Sequence, residues 1–405
     1  MQAMRDCKGT QVVKAGEDAS ANSLSIDRAA ATPLHRQIAD ALRQHIQAHG
    51  YRAGAMLPSE MELALTLRVS RQTVRQGLAQ LANEGLLQRV VGRGTFVAGP
   101  RRSRTGIVAC IVTRLSDDFI ARIVDGAEQV GRSSGLRLQV ANALGDPELE
   151  RQSIDAAAGA VDGMIIFLGG QVGAAETVAH VERSGTPFVL VDRTVAGVTA
   201  DLVTADNVTG GRLAGEHLLN LGHRRMVVAR RYGDQVSTVE ERERGFRAAL
   251  SAAGIAQQDT PAIYVPGHLV TAWDYLRLPS LADHPDVNAI AMALEQTRPT
   301  AAFAINDITG VLTVLAANRL GWPVPERLSV VGFGDDSHSL TIDPPLTTVH
   351  QDPLQMGRRA MHLLIERLER SARVPKVIRL PVHLVPRSSS GPPARAMTLS
   401  LPDTF

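Results

Sequence analysis

The chain has 405 residues, too many for a single hydrophobic core, so two or three folding units are expected. Hydrophobic residues make up 44% of it, yet no apolar run reaches membrane-spanning length and the N-terminus holds no signal-peptide pattern, so a membrane partner and export are disfavoured and a cytoplasmic protein is expected. Two cysteines are too few for a disulfide framework, and the net charge of +2 hides an asymmetry: residues 32–105 carry eleven arginines and no lysine against four acids, net +7, leaving the rest acidic overall.

Residues 1–31 are polar and aperiodic and read as a disordered tail. From Pro33, Leu34, Ile38, Leu42 and Ile46 recur at helical spacing, and Gly50 stops the run. In LPSEMELALTL, Ser59 followed by Glu62 forms a capping box, with Leu63 and Leu67 as the buried stripe of a second helix. A short turn at Arg68 and Val69 leads to SRQTVRQGLAQL. There Ser70 is the N-cap, Val74, Leu78 and Leu81 face inward, and Arg71, Gln72, Arg75 and Gln76 face outward with no acid in that segment to pair with them. LLQRVV and TFVAG, around Gly92-Arg93-Gly94, read as a hairpin. His35 and His45 read as surface helix residues rather than ligands. This order of elements is a winged helix-turn-helix over residues 32–97.

Such a motif sends the start of its later helix into the major groove, where Arg can bridge two acceptors on guanine and Gln can do so on adenine. Glycines at a hairpin tip let a guanidinium approach a phosphate or the minor groove closely. Pattern and charge together point to double-stranded DNA as a partner.

Residues 98–105 break all periodicity and read as a basic linker, whose RRSR either adds phosphate contacts or is simply solvated. Over 106–388 the pattern changes to apolar strands alternating with helices: GIVACIV, LRLQVAN, GMIIFL, PFVLVD, RMVVAR, AAFAIND and SVVGF. This implies an α/β body with parallel sheets covered on both faces, in two lobes; residues 389–405 read as a flexible tail. Ligands of open parallel sheets bind beyond the C-terminal strand ends, here at Asp192 and Arg193, Asn306 and Asp307, and Asp335 and Asp336. Some of these, Asp307 and Asp336 above all, are also good helix caps. LGGQVG at 168–173 lacks the dinucleotide fingerprint, and no nucleophile–base pair or metal-ligand spacing is present, so neither an enzyme nor a cofactor or metal is expected.

The strings LPSEMELA, VSRQTVRQGLAQLANEGLL and GRGTFV resemble the GntR family of bacterial transcription regulators. The resemblance implies DNA contacts from Ser59 and Glu60, from Ser70, Arg71, Gln72, Thr73 and Arg75, and from Gly92, Arg93, Gly94 and Thr95 of the wing. Many relatives carry a basic residue where this chain has Met61. The strings TADNVTGGRLAGEHLLNLGHRRMVVA, RERGFRAALSAAG, PTAAFAINDITGVL, VPERLSVVGFGDD and PPLTTVHQDPLQMGRRAMHLLIERL resemble the effector domain of the LacI family, itself similar to periplasmic sugar-binding proteins. That resemblance implies an effector pocket containing Asp192, Arg242, Asn306 and Gln351, to which the strand-end reading adds Arg193, with Asp117 and Phe119 from its wall. It also implies chain crossings between lobes near Thr204–Asp206, near Val349–Asp352 and before the C-terminal tail. Where relatives read VGFDD this chain reads VGFGDD, so either a sugar hydroxyl that relatives bind there loses its partner or Asp335 takes that place. Leu269 falls where some relatives stack an aromatic ring on the sugar.

A GntR-type head on a LacI-type body is similar to the arrangement of arabinose-responsive repressors. It implies a homodimeric, ligand-responsive repressor that binds operator DNA and is released by a sugar or sugar derivative. Activation, or a response to a non-sugar metabolite, is the alternative within the regulator class. A sugar-binding transport component is the alternative outside it.

Overall fold

The structure is a computed structural model and describes residues 24–394, apart from residues 29, 49–50, 52–54, 91–93, 98–104, 171–172, 232–235, 267–283 and 370–373. Contacts divide the chain into two units, Met1–Ser103 and Arg104–Phe405, called here the head and the body.

In the head, α1 (Leu34–Ala48) buries Ile38, Ala39, Leu42 and Ile46. Helix α2 (Glu60–Leu67) opens on Ser59, whose side chain accepts from the Glu62 amide at 3.2 Å while the Glu62 carboxylate accepts from the Ser59 amide at 2.7 Å. Such reciprocal capping satisfies two amides that a helix start otherwise leaves open. The same amide of Ser59 holds the Glu62 carboxyl below its ordinary pKa. The turn to α3 (Arg71–Asn83) is made by Arg68 in the left-handed region, φ 54°. Val74, Leu78 and Leu81 of α3 pack on α1, and the approach is so close that a Cβ on Gly77 would stand 2.9 Å from the His35 carbonyl. Strands β1 (Leu87–Val90) and β2 (Gly94–Val97) pair antiparallel.

Two expectations about the head change. Leu24 and Ile26 pack against its core, and the Asp27 amide donates to Gln37 at 2.9 Å, so the ordered head starts before residue 32. His45 is buried against Tyr51 rather than on the surface, because its position falls on the apolar stripe of α1.

Among the described residues the body comprises two six-stranded sheets. Its elements run β3 (Ile107–Val112), α4 (Asp118–Ser133), β4 (Arg137–Asn142), α5 (Pro147–Ala157), β5 (Gly163–Ile166), α6 (Ala174–Ser184), β6 (Phe188–Val191), β7 (Leu202–Ala205), α7 (Asn207–Asn220), β8 (Met226–Arg231) and α8 (Ser237–Ala252). They continue through β9 (Ala262–Val265), α9 (Pro285–Thr297), β10 (Ala301–Ala304), α10 (Asp307–Arg319), β11 (Ser329–Gly334), α11 (Ser337–Thr341), β12 (Thr347–His350), α12 (Pro353–Glu369), β13 (Val377–Leu380) and β14 (His383–Val385). The first lobe has strand order β13-β7-β6-β5-β3-β4, all parallel; the second has β14-β12-β11-β10-β8-β9, parallel except where β14 meets β12.

Alternation along β3 explains why its sequence is continuously apolar. Val108, Cys110 and Val112 face α4 and α12, while Ala109 and Ile111 face α5 and α6, so both sides are core. Two helix pairs cross at reciprocal glycines. A Cβ on Gly126 would lie 2.0 Å from the Leu354 carbonyl and one on Gly357 1.9 Å from that of Ile123; on α7 and α8, Gly211 and Gly245 stand likewise against Arg242 and Val208.

The chain passes between lobes after β7, after β12 and between β13 and β14, at the places expected. The C-terminal expectation needs correcting. The Ser389 hydroxyl is buried, accepting from the Thr347 amide at 2.7 Å and donating to the Val330 carbonyl, and the Gly391 carbonyl bonds His223 at 2.9 Å. The segment is therefore part of the second lobe through Gly391, not a tail from 389.

Candidate nucleic-acid interface and ligand cleft

On the head, Ser70 begins α3 with its hydroxyl accepting from the Thr73 amide at 3.1 Å and lying 2.7 Å from the Thr73 hydroxyl. This cap fixes the first turn, so Arg71, Gln72, Arg75 and Gln76 are exposed along one face. Arg75 does find an acid, supplied by α2: its Nε and Nη2 donate to Glu60 at 3.2 and 3.0 Å, and Arg89 of β1 pairs with the same carboxylate. Glu60 thus gathers two arginines from separate elements beside Arg71. Gly94 sits at the start of β2 with φ 124°, whereas Gly92 and Arg93 lie outside the described residues. Thr95 is 8% exposed, turned inward by the alternation of β2, so its side chain does not belong to the surface that the resemblance implied for it.

In the body, strand ends from both lobes surround one cavity of about 380 Å³, on the order of a dozen water volumes. It is lined by Asp117, Phe119, Asp192, Arg193, Arg242, Asn306, Asp336 and Gln351 among those foreseen, and by Arg114, Phe167, Arg231, Thr238 and Phe333 in addition. Arg242 is 6% exposed and fixed on all sides. Its Nε donates to Asn207 at 2.8 Å and its Nη1 to the Ile305 carbonyl at 3.0 Å, its Nη2 stands 3.4 Å from Gln351 Oε1, and its guanidinium lies 3.8 Å over the Phe333 ring. Burial draws its pKa down to about 10, still a cation at neutral pH.

Asp192, 5% exposed, directly follows β6 with φ 74°. One of its oxygens is 3.3 Å from Arg193 Nε, and Oδ1 has no hydrogen-bond partner among the described residues. A buried carboxylate oxygen left open at a cavity wall is an acceptor for a ligand hydroxyl, since leaving it unmet costs about 1–3 kcal/mol. Arg193 meanwhile donates to the Leu168 and Gly169 carbonyls at 2.9 and 2.6 Å, which fixes it beside Phe167. Asn306 caps α10 through its oxygen, 2.9 Å from the Thr309 amide, so its amide nitrogen is the end available to a ligand. Asp117 caps α4 through the Phe119 amide at 2.9 Å, and burial raises its pKa.

Asp335 does not line this cavity. The glycine inserted before it extends β11 through Gly334, and Asp335 then turns with φ 61° toward Arg387 and His350. Those two bonds hold its carboxyl below the ordinary range despite partial burial, so it is committed to the fold. Asp336 takes the cleft-facing place instead; burial and then the neighbouring carboxylates Asp307, Asp117 and Asp118 push its pKa well up. Asp307, also at a strand end, is wholly buried: it accepts from the Thr348 hydroxyl and from the Asp336 amide, positioning Asp336 rather than meeting a ligand. Leu269 falls outside the described residues.

Hydrogen bonds join the lobes across the cavity: the Thr194 amide donates to Ser237 Oγ at 2.9 Å, and Ser337 donates to Asp118. The additional lining residues were within reach of sequence reasoning, because Phe167 follows β5, Arg231 ends β8 and Thr238 lies in the first turn of α8. Among the described residues no group of three or more His, Cys, Asp or Glu could hold a metal ion, and no helix is long and apolar enough to cross a membrane.

Comparison with known proteins matches each part. The profile of bacterial regulatory proteins, gntR family, covers residues 34–97, and that of the periplasmic binding protein-like domain covers 216–390. The chain is 28% identical over 326 residues to the arabinose metabolism transcriptional repressor of Geobacillus stearothermophilus, covering 77% of this chain and 85% of that protein. It is 30% identical over 296 residues to the HTH-type transcriptional regulator CelR of Thermobifida fusca, 71% of this chain and 82% of that one. A solved structure of a transcriptional regulator CelR–cellobiose complex matches at 25% identity with a TM-score of 0.60, over 82% of this chain and all of the other.

Proposed function

The chain belongs to the bacterial transcription regulators that carry a periplasmic-binding-protein-like body, here behind a gntR-family head, and on that premise we propose a carbohydrate-responsive repressor. In this reading the head holds operator DNA and the cleft holds a sugar-class effector whose binding releases it. The observation that carries the reading is the convergence of Asp192, Arg242, Asn306, Asp336 and Gln351, from strand ends and helices of both lobes, on one polar cleft. Fixed donors and acceptors of both signs suit a polyol, because each hydroxyl both gives and takes a hydrogen bond. That relatives are named as repressors of arabinose metabolism, and that a CelR structure contains cellobiose, supports the same class of ligand.

Arg71, Gln72 and Arg75 read bases, with Glu60 holding Arg75 and Arg89 in place, and Ser59, Ser70, Thr73 and the wing glycines with Arg93 position the backbone. The protein acts in the cytoplasm as a homodimer on a two-fold operator. Support for the dimer comes from the sheet edges: β4 and β9 are both terminal strands, and exposed Val140, Leu144 and Leu149 cluster in sequence near the first. The effector acts only through its different affinity for the DNA-bound and released states, so operator DNA weakens effector binding by the same factor. The test is fluorescence anisotropy of a labelled fragment of the chain's own promoter against a monosaccharide and sugar-derivative panel. A specific member should release the fragment, and Asp192→Asn should abolish release while leaving DNA binding intact. Release that survives Asp192→Asn sinks the assignment of the cleft.

A further inference from the structure

We infer that the cleft contains an anion subsite at the start of α8, so that the effector is an acidic sugar bearing a phosphoryl or carboxylate group. This rests on the reading of the cleft as the effector site. The sixteen residues of α8 begin at Ser237, and the preceding cap residue, Val236, has no side-chain acceptor to offer the first-turn amides. The amides of Val239 and Glu240 return to the Val236 carbonyl, which leaves those of Ser237 and Thr238 at the open end of the helix. That end opens on the cavity, which Val236, Thr238 and Val239 line. Thr238 supplies the independent sign of a ligand: it is 4% exposed, and its hydroxyl makes no hydrogen bond among the described residues.

Arginine side chains line the same cavity. Arg231 ends β8, the strand before α8, and Arg193 comes from the opposite lobe, next to Thr194, whose amide meets Ser237. Oriented first-turn amides, a hydroxyl donor and guanidinium groups form the donor set that an oxyanion selects. Among the described residues the acids nearby do not cancel it. Glu240 of the first turn is exposed to solvent, Asp192 is offset by Arg193 Nε at 3.3 Å, and Asp117 and Asp336 belong to the side where Asp118 meets Ser337. A sugar can therefore present hydroxyls to Asp192, Asn306 and Arg242 and its charged group to α8.

Isothermal titration of the full chain tests this with two matched series: glucose, glucose 6-phosphate and gluconate; arabinose, arabinose 5-phosphate and arabinonate. One acidic member should bind at least tenfold tighter than its neutral parent, and the winning member tells phosphoryl from carboxylate. Thr238→Val, nearly isosteric, and Arg231→Gln should each erase most of that ratio, with a thermal melt confirming that the variant is folded. Parity between neutral and acidic members overturns the inference, as does a preference that survives both substitutions or an absence of binding by all six. Asp192→Asn separates the two readings. If acidic and neutral sugars bind the parent protein alike and Asp192→Asn removes all of that binding, only the anion subsite falls; if Asp192→Asn removes none, the cleft assignment falls too.

Discussion

Gly245→Ala is the sharpest single perturbation of the body. The new Cβ would stand 2.0 Å from the Val208 carbonyl oxygen and 2.9 Å from its carbon, so α7 and α8 must part by at least an ångström to reach a distance that real contacts show. The obstacle is backbone on the facing helix, which cannot swing aside as a side chain can. Overpacking of this kind costs about 1–3 kcal/mol, and the rigidity of the contact puts it near about 3. Alanine returns about 1 kcal/mol of helix propensity, leaving a net loss of about 2. At about 2–4 °C per kcal/mol for a domain of some 150–250 residues, the melting temperature should fall by roughly 4–8 °C. Arg242 lies one turn before Gly245 on the same helix, and its bonds to Asn207 and the Ile305 carbonyl span α8, α7 and the end of β10. The shift must stretch them, so effector affinity should drop together with stability. Thermal unfolding by circular dichroism and an effector titration measure the two effects, with Gly170→Ala, where a Cβ would meet nothing, as control. A Gly245→Ala protein that melts within about a degree of the parent and binds effector normally would refute the packing argument.

Asn306→Ser should keep the cap on α10 and the melting temperature but weaken effector binding, since the side-chain amide is lost; Asn306→Ala should in addition cost about 1 kcal/mol of stability. Arg71→Ala should weaken operator binding by about 1–3 kcal/mol, read as a shift in an anisotropy titration, without moving the melting curve, because the residue is exposed. Burial pushes the Asp307 carboxyl up to about 6, so the folded state keeps its proton longer than the unfolded chain does. Its contribution to stability is full below the ordinary aspartate value and is lost as pH rises through about 6; Asp307→Asn should flatten that part of a stability–pH profile measured by urea unfolding.

Much of the head was legible because its elements are marked by local chemistry. Ser59 with Glu62, Ser70 with Thr73, and apolar residues at helical spacing need no long-range information. What could not be read was the partner of Arg75, since Glu60 lies fifteen residues away and meets it only through packing of α2 on α3. In the body, the long apolar strands were plain, but β7, β9, β12, β13 and β14 are three or four residues long and carry Thr, His, Tyr or Arg, too little periodicity to separate them from loops. Of the candidate pocket, the residues at strand ends and Arg242 could be named from the family pattern. The choice between Asp335 and Asp336 could not: it turns on one left-handed residue and on Arg387, fifty-two positions further along the chain. Thr238 leaves only a faint trace in the sequence, because an uncapped helix start shows there only as a missing cap residue, whereas Arg231 is legible as the end of β8.

The three passages of the chain between lobes run side by side, since β7 and β13 are neighbours in one sheet and β12 and β14 in the other. One such passage would be a swivel, free to twist in any direction. Three abreast behave like the leather spine of a book, which folds about its own length and resists sideways slip. Whatever occupies the cleft therefore has a single mechanical coordinate to push on, and a bulky guest cannot be accommodated by sliding one cover past the other.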